Sequence, residues 1–255
     1  MNILTVQERG LALIRVYGDL NDFLPPGRRE TWFERPCKGH ETIKNLIETC
    51  GVPHPEIGAL IVGGHPVNFD YPVQPGDMIE VFPITMAPAS SVTLRPPLDE
   101  PRFVLDTHLG RLAAYLRMLG YDSLYWNDAH DAELARLAGE ERRILLTRDR
   151  ELLKRSIVVY GSFVREVIPA RQIVEVMRRF NLTPTSTVFQ RCMRCNSLTT
   201  AVEKADIEHL LEPRTRLYFD TFRRCIACGK IYWQGSHYTR MATLLEHSVR
   251  LKVEG

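Results

Sequence analysis

Four of the six cysteines form two short pairs, Cys192-Met193-Arg194-Cys195 and Cys225-Ile226-Ala227-Cys228. A Cys-x-x-Cys spacing turns both thiols toward one point, and two such pairs supply the four sulfurs of a closed tetrahedral zinc site. An exchangeable dithiol needs only one pair. Gly229 follows the second pair, where a tight turn under a metal favours glycine. Four thiolates leave no open position, so this zinc is expected to be structural, with His209 and His237 outside its ligand set. Cys50 reads as a core residue on an apolar helix face and Cys37 as a loop residue.

The second set of chemistry-bearing residues is acidic. Asp106, Asp131 and Asp149 each stand where a short apolar run gives way to a helical pattern. The runs are Phe103 to Leu105, Ser123 to Trp126 and Arg143 to Thr147. In a parallel α/β sheet the C-terminal strand ends share one edge, where ligand sites form. Asp is also a favoured helix N-cap, which accounts for any one of the three alone. Three at equivalent junctions are expected to converge and to need a cation between them. Asp128 and Glu133 compete with Asp131 for the middle position. Carboxylates hold Mg²⁺ or Mn²⁺ through oxygen, and such ions suit phosphodiester hydrolysis. Arg111, Arg117, Arg148 and Arg150 are the nearby candidates for gripping the phosphates.

The elements that must position these residues follow from hydrophobic periodicity. Leu109, Leu112, Ala113, Leu116 and Leu119 make one apolar stripe, stopped by Gly120, so a helix is expected over 108–119. Leu134, Leu137 and Ala138 mark a second helix, and Ile144 to Thr147 is a continuous apolar run of the kind buried in parallel sheets. A further strand is expected at Ile157 to Tyr160, then a helix carrying Ile173, Val176, Met177 and Phe180. Residues 11–82 read differently: a strand at 11–17 paired with 29–35, a helix from His40 with Ile43, Leu46, Ile47 and Cys50, and strands at 59–62 and 78–82. Hairpin, helix, strand, strand is the β-grasp order. Pro83, Pro88, Pro96, Pro97 and Pro101 mark a linker between the two regions.

Around the cysteine pairs lie Arg191, Arg194, Arg214, Arg216, Arg223, Arg224 and Lys230, interleaved with Tyr218, Phe219, Phe222, Tyr232 and Trp233. Basic and aromatic residues together suit single-stranded RNA, although the same aromatics must also pack a small ribbon. A final helix is expected over 241–251, with Leu244, Leu245 and Val249 on one face.

Bulk properties set few limits. The net charge of +2 makes any electrostatic case local. No apolar run approaches the roughly 20 residues of a membrane span, and Met1 to Gly10 lacks the regions of a signal peptide. A cytoplasmic protein with no membrane association is the expectation. No Gly-x-Gly-x-x-Gly or Walker loop is present.

Several phrases carry a family resemblance. Asp106-x-x-Leu109-Gly110-Arg111-Leu112-Ala113, Leu116-Arg117-x-Leu119-Gly120-Tyr121-Asp122 and Arg143-Ile144-Leu145-Leu146-Thr147-Arg148-Asp149-Arg150 resemble the PIN-like ribonucleases. They are most similar to the C-terminal ribonuclease family named after the Mut-seven exonuclease. Val62-Gly63-Gly64-His65-Pro66-Val67 and Val73 to Pro83 are similar to ubiquitin-like sulfur carriers. Such a domain often precedes the nuclease in that family. The chain runs on past Ile84 without the free Gly-Gly terminus a carrier uses, so residues 11–82 are expected to be an appended binding or packing module with a protein partner.

The resemblance implies metal-dependent cleavage of RNA, tRNA or another structured RNA included. Asp106 and Asp149 would be metal-holding acids and Asp131 the third, while Asp128 and Glu133 stay open beside it and the fourth acid of PIN domains has no clear counterpart. The expected organisation is a β-grasp domain (1–86), a proline-rich linker (87–101), an α/β PIN-like core with a parallel sheet (102–183) and a Cys₄ zinc ribbon with a C-terminal helix (184–255). The rival expectation is a non-catalytic RNA-binding or scaffold protein with a degenerate acidic site.

Overall fold

The computed structural model describes residues 10–37, 39–183, 189–236, 238–239 and 243. The strands are β1 (Leu11–Val16), β2 (Phe33–Pro36), β3 (Ile57–Val62), β4 (His65–Val67), β5 (Met78–Pro83), β6 (Phe103–Leu105), β7 (Ser123–Leu124), β8 (Ile144–Thr147), β9 (Gly161–Phe163), β10 (Thr199–Val202), β11 (Phe222–Cys225) and β12 (Ile231–Tyr232). The α-helices are α1 (Ile43–Thr49), α2 (Gly110–Met118), α3 (Asp131–Glu140), α4 (Arg150–Leu153), α5 (Pro169–Arg179), α6 (Lys204–Ile207) and α7 (Pro213–Tyr218). Two compact units result, Met1–Glu100 with Asp131–Phe163 and Pro101–His130 with Val164–Gly255.

In the first unit a mixed sheet has the order β2-β1-β5-β3-β4. β1 and β5 are parallel and the other neighbours antiparallel. β5 alternates inward Ile79 and Val81 with outward Glu80 and Phe82, the period of a sheet with one buried face. α1 lays Ile43, Leu46 and Ile47 into the same core. Its N-terminus is fixed by Thr42, whose side chain accepts the Asn45 N–H. Cys50 is buried in this core, as expected of it.

The second stretch of this unit, 131–163, is joined to the first by buried polar contacts. β8 and β9 pair in parallel, Leu145 opposite Gly161 and Thr147 opposite Phe163. The Phe163 N–H donates to buried Glu56 at 2.6 Å. His54, also buried, lies between Glu48 Oε1 at Nδ1 and the Val158 carbonyl at Nε2, both at 2.6 Å.

Two expectations change here. Ile157 to Tyr160 is not a strand: the Val158 N–H closes a turn onto the Arg155 carbonyl, and Ile157 and Val159 point to solvent. The strand begins at Gly161, after the Tyr160 carbonyl has accepted the Leu145 N–H. The apolar, β-branched composition of 157–160 pointed to the wrong stretch. The proline-rich segment is also anchored at 95–97. Arg95 donates to the carbonyls of Pro55, His54 and Ile57, Tyr160 Oη to Pro96 O at 2.7 Å, and Arg142 to Pro97 O at 2.8 Å.

In the second unit β6 and β7 pair in parallel, Phe103 opposite Ser123. α2 buries Leu112, Ala113 and Leu116 and packs against α5. α2 starts at Gly110, later than the periodicity implied. A Cβ at Gly110 would lie 2.8 Å from the Tyr125 ring, so glycine lets that ring close over the helix start. β10, β11 and β12 form an antiparallel ribbon. The helix expected over 241–251 lies outside the described residues save Thr243, and so does His237.

Candidate metal centre and acidic site

The four cysteine Sγ atoms all lie within 4.8 Å of one another. Cys192 and Cys228 are 3.6 Å apart, Cys195 and Cys225 3.5 Å. Zinc–sulfur bonds of about 2.3 Å in a tetrahedron put neighbouring sulfurs about 3.8 Å apart, so the thiols already have the spacing that zinc imposes. Each knuckle builds its half locally. Cys195 N–H donates to Cys192 Sγ at 3.5 Å, and Cys228 N–H to Cys225 Sγ at 3.4 Å. The chain then turns through Asn196 (φ 68°) and Gly229 (φ 71°), left-handed positions that Asn and Gly tolerate.

The thiols do not ionise alike. Burial opposes ionisation of Cys195, but hydrogen bonds from Ser197, Cys225 and Cys192 outweigh it and bring its pKa down to about 6. At Cys228 the Lys230 N–H favours the thiolate, yet burial and the neighbouring thiols push the pKa up to about 11. Four thiolates this close need a cation among them. Tyr232, which burial and its hydrogen bond to Cys192 keep protonated, places its hydroxyl 3.1 Å from Cys192 Sγ.

The first knuckle is bolted to the α/β part of the same unit. Arg117 is buried, with Nε on the Ser123 carbonyl at 2.8 Å and Nη1 on the carbonyls of Met193 and Arg194, each at 3.1 Å. Asn196 donates to Asp122 at 2.8 Å and accepts the Ser123 N–H at 3.1 Å. Sequence reasoning offered Arg117 to RNA phosphates; its guanidinium instead satisfies carbonyls inside the unit. The one advance signal for this was its position, next to Leu116 and a helical turn after Ala113 of the apolar stripe.

Among the described residues, the four cysteines are the one group of three or more potential metal ligands brought together. Each acid has its own setting. Asp106 is half-buried at the C-terminal end of β6. It does not cap α2, whose N-cap position is Leu109 with no side-chain cap. Asp149 is a true N-cap: its Oδ1 accepts the Glu151 and Leu152 N–H groups at 2.8 and 3.3 Å, and Thr147 Oγ1 accepts its own N–H. Asp131 is the exposed first residue of α3, and Asp128 lies exposed in a turn before it. Glu133 forms a two-pronged pair with Arg136 at 2.8 and 2.9 Å, and this contact lowers its pKa.

The remaining cations divide as well. Arg111 and Arg148 are exposed. Arg150 reaches the carbonyls of Phe23 and Asp22 and lies over the rings of Phe23 and Phe163. In the ribbon, Phe219, Phe222 and Trp233 pack with Ile207 and Leu211, whereas Tyr218 is 70% exposed.

Residues 101–245 match the family model described as the Mut7-C RNAse domain, and residues 10–88 match the one described as Mut7-C ubiquitin. No curated protein and no solved structure matches.

Proposed function

The chain belongs to the Mut7-C ribonuclease family, and from that premise we propose that it hydrolyses RNA phosphodiester bonds with Mg²⁺ or Mn²⁺ held by Asp106 and Asp149. The observation carrying this is Asp106. It follows a strand of a parallel pair and is not the N-cap of α2, so the N-cap preference for Asp does not account for an acid there. Carboxylate oxygens are the donors a hard divalent ion takes, and Mg²⁺ commonly uses only one or two of them beside water and phosphate. Asp131 is the third acid of this proposal. Asp128 is the reserve for that place, and Glu133 is disfavoured by its pairing with Arg136.

When bound, such an ion polarises the phosphoryl group and makes water a stronger nucleophile near neutral pH. The chain's own residues orient the acids and the substrate. The amides of Glu151 and Leu152 fix Oδ1 of Asp149 and so hold its carboxylate in one rotamer. Arg111 and Arg148 are the proposed phosphate contacts near the acids. Zinc on Cys192, Cys195, Cys225 and Cys228 is the proposed structural metal, and the ribbon around it is proposed to hold RNA. We read 1–86 as the ubiquitin-like domain with a protein partner, 87–101 as the linker, 102–183 as a PIN-like core and 184–255 as the ribbon. No helix of the described residues is long and apolar enough to cross a membrane, and a cytoplasmic site of action is part of the proposal.

The test is cleavage of labelled single-stranded RNA and tRNA by zinc-loaded protein, with Mn²⁺ or with EDTA, beside Asp106→Asn and Asp149→Asn. Cleavage that needs Mn²⁺ and both acids is the expected outcome. Tight binding without cleavage would return the chain to a non-catalytic RNA-binding role.

A further inference from the structure

Beside the second knuckle the ribbon opens a cavity of about 380 Å³. Its walls include Thr200 and Val202 of β10, Arg224 of β11, and Ile226, Ala227 and Gly229 of the knuckle. Ile226 is 67% exposed and lines this cavity. Its backbone is held between Cys225 and Cys228, its N–H bonded to the Leu198 carbonyl at 3.2 Å.

Arg224 faces Thr200 across the strand pair, and its guanidinium lies along Gly229, Nη2 being 3.7 Å from where a Cβ would stand. Among the described residues no acid pairs with Arg224, and none lines the cavity. Arg194 and Lys230, both exposed beside cysteine ligands, are likewise without an acidic partner there. The site therefore combines an apolar wall, one hydroxyl and an uncompensated guanidinium. Its volume falls at the small end of ligand pockets, too small for a helix or a strand with its side chains.

We propose that this cavity takes one unpaired nucleotide of the RNA substrate, its base against Val202, Ile226 and Ala227 and its phosphate on Arg224. The proposal rests on the ribonuclease reading and adds to it a preference for single-stranded RNA. A nucleobase supplies the flat apolar face that the wall accepts, and every base has one, so contact here is tolerant of sequence. A duplex keeps its bases stacked inside and offers phosphates, 2′-hydroxyls and base edges rather than an open base face.

The test uses zinc-loaded full-length protein with a fluorescein-labelled RNA oligonucleotide, single-stranded or annealed to its complement, over a salt series. Cleavage of the single strand is followed in parallel with Mn²⁺, and zinc content is measured for every variant. Arg224→Ala should weaken single-strand binding about tenfold, as loss of a charged hydrogen bond does. It should also reduce the slope of log affinity against log salt by about 0.7, while Arg224→Lys restores that slope. Ile226→Ala should weaken binding severalfold without changing the slope. Both alanine variants should raise KM and leave kcat and zinc content as they are. If the wild-type protein binds and cleaves RNA but both variants match it in affinity and slope, the cavity proposal is overturned and the ribonuclease reading stands. Equal losses on duplex RNA would also overturn it. A wild-type protein that neither binds nor cleaves RNA would overturn both.

Discussion

The cysteine cluster and the acidic residues are two candidate metal sites built in opposite ways. Each cysteine knuckle is set within a few residues, by an N–H···S contact and a left-handed turn, so its spacing in sequence already is its geometry. The acids share only a residue type and a position at the end of an apolar run. Locally they do different things: Asp149 caps a helix, Asp131 begins one, Glu133 pairs with Arg136, and Asp106 ends a strand without being the N-cap of the helix that follows. Spacing specifies a site when the backbone between the ligands is short. When ligands come from separate strands, residue type marks candidates and tertiary structure must choose among them.

The largest effect that separates the two sites is loss of the cysteine metal. In small zinc modules the binding free energy, about 10–16 kcal/mol for isolated fingers, is folding free energy. Cys225→Ser should therefore abolish zinc binding and expose the amides of β10 to β12 to hydrogen exchange. Retained protection in the metal-free variant would erase the difference between the sites.

At the acids the expected loss is in catalysis rather than folding. Outer-shell partners of metals are worth about 10- to 100-fold, so replacing a ligand should cost about 10²-fold or more in kcat/KM. Asp149 sharpens the point. Asn caps as well as Asp, so Asp149→Asn should lose activity with its thermal midpoint unchanged, whereas Asp149→Ala should also lose about 1 kcal/mol of stability. Equal activity in both variants and wild type would leave Asp149 a cap and nothing more.

Arg117 ties the first cysteine knuckle to β7 within one unit, and its effect is intermediate. Arg117→Met removes the donor from three carbonyls and should cost about 2–3 kcal/mol in urea unfolding, with weaker retention of zinc under chelator challenge. The smallest effect belongs to Glu133→Gln. Its pair with Arg136 is exposed and screened by solvent, so neither the thermal midpoint nor cleavage should change measurably. A large drop in cleavage would move Glu133 into the place proposed for Asp131.

Much of this was legible in advance where signals are local. The strands at Leu11–Val16, Ile57–Val62 and Met78–Pro83, the helix at Ile43 to Thr49, the run Ile144 to Thr147 and the cysteine tetrad follow from period, turn residues and spacing, whereas the strand expected at 29–35 begins only at Phe33 and the strand His65–Val67 was not foreseen. What escaped depended on partners far along the chain. Arg117 and Arg150 look like surface cations in sequence, yet one serves the Met193 and Arg194 carbonyls and the other lies on Phe23 and Phe163. His54 and Glu56 carried no signal at all, because the groups they meet, Val158 and Phe163, lie 104 and 107 residues further along the chain. The strand at 161–163 was misplaced because β-branched residues at 157–159 outscored Gly161 and Ser162 locally.

The most direct test of the central proposal is Mn²⁺ binding measured by titration calorimetry on zinc-loaded protein, wild type beside Asp106→Asn and Asp149→Asn. The account predicts that the wild type binds Mn²⁺, that either substitution abolishes this binding, and that zinc content stays the same in all three. Mn²⁺ binding undisturbed by both substitutions, or RNA cleavage that persists in EDTA, would contradict it.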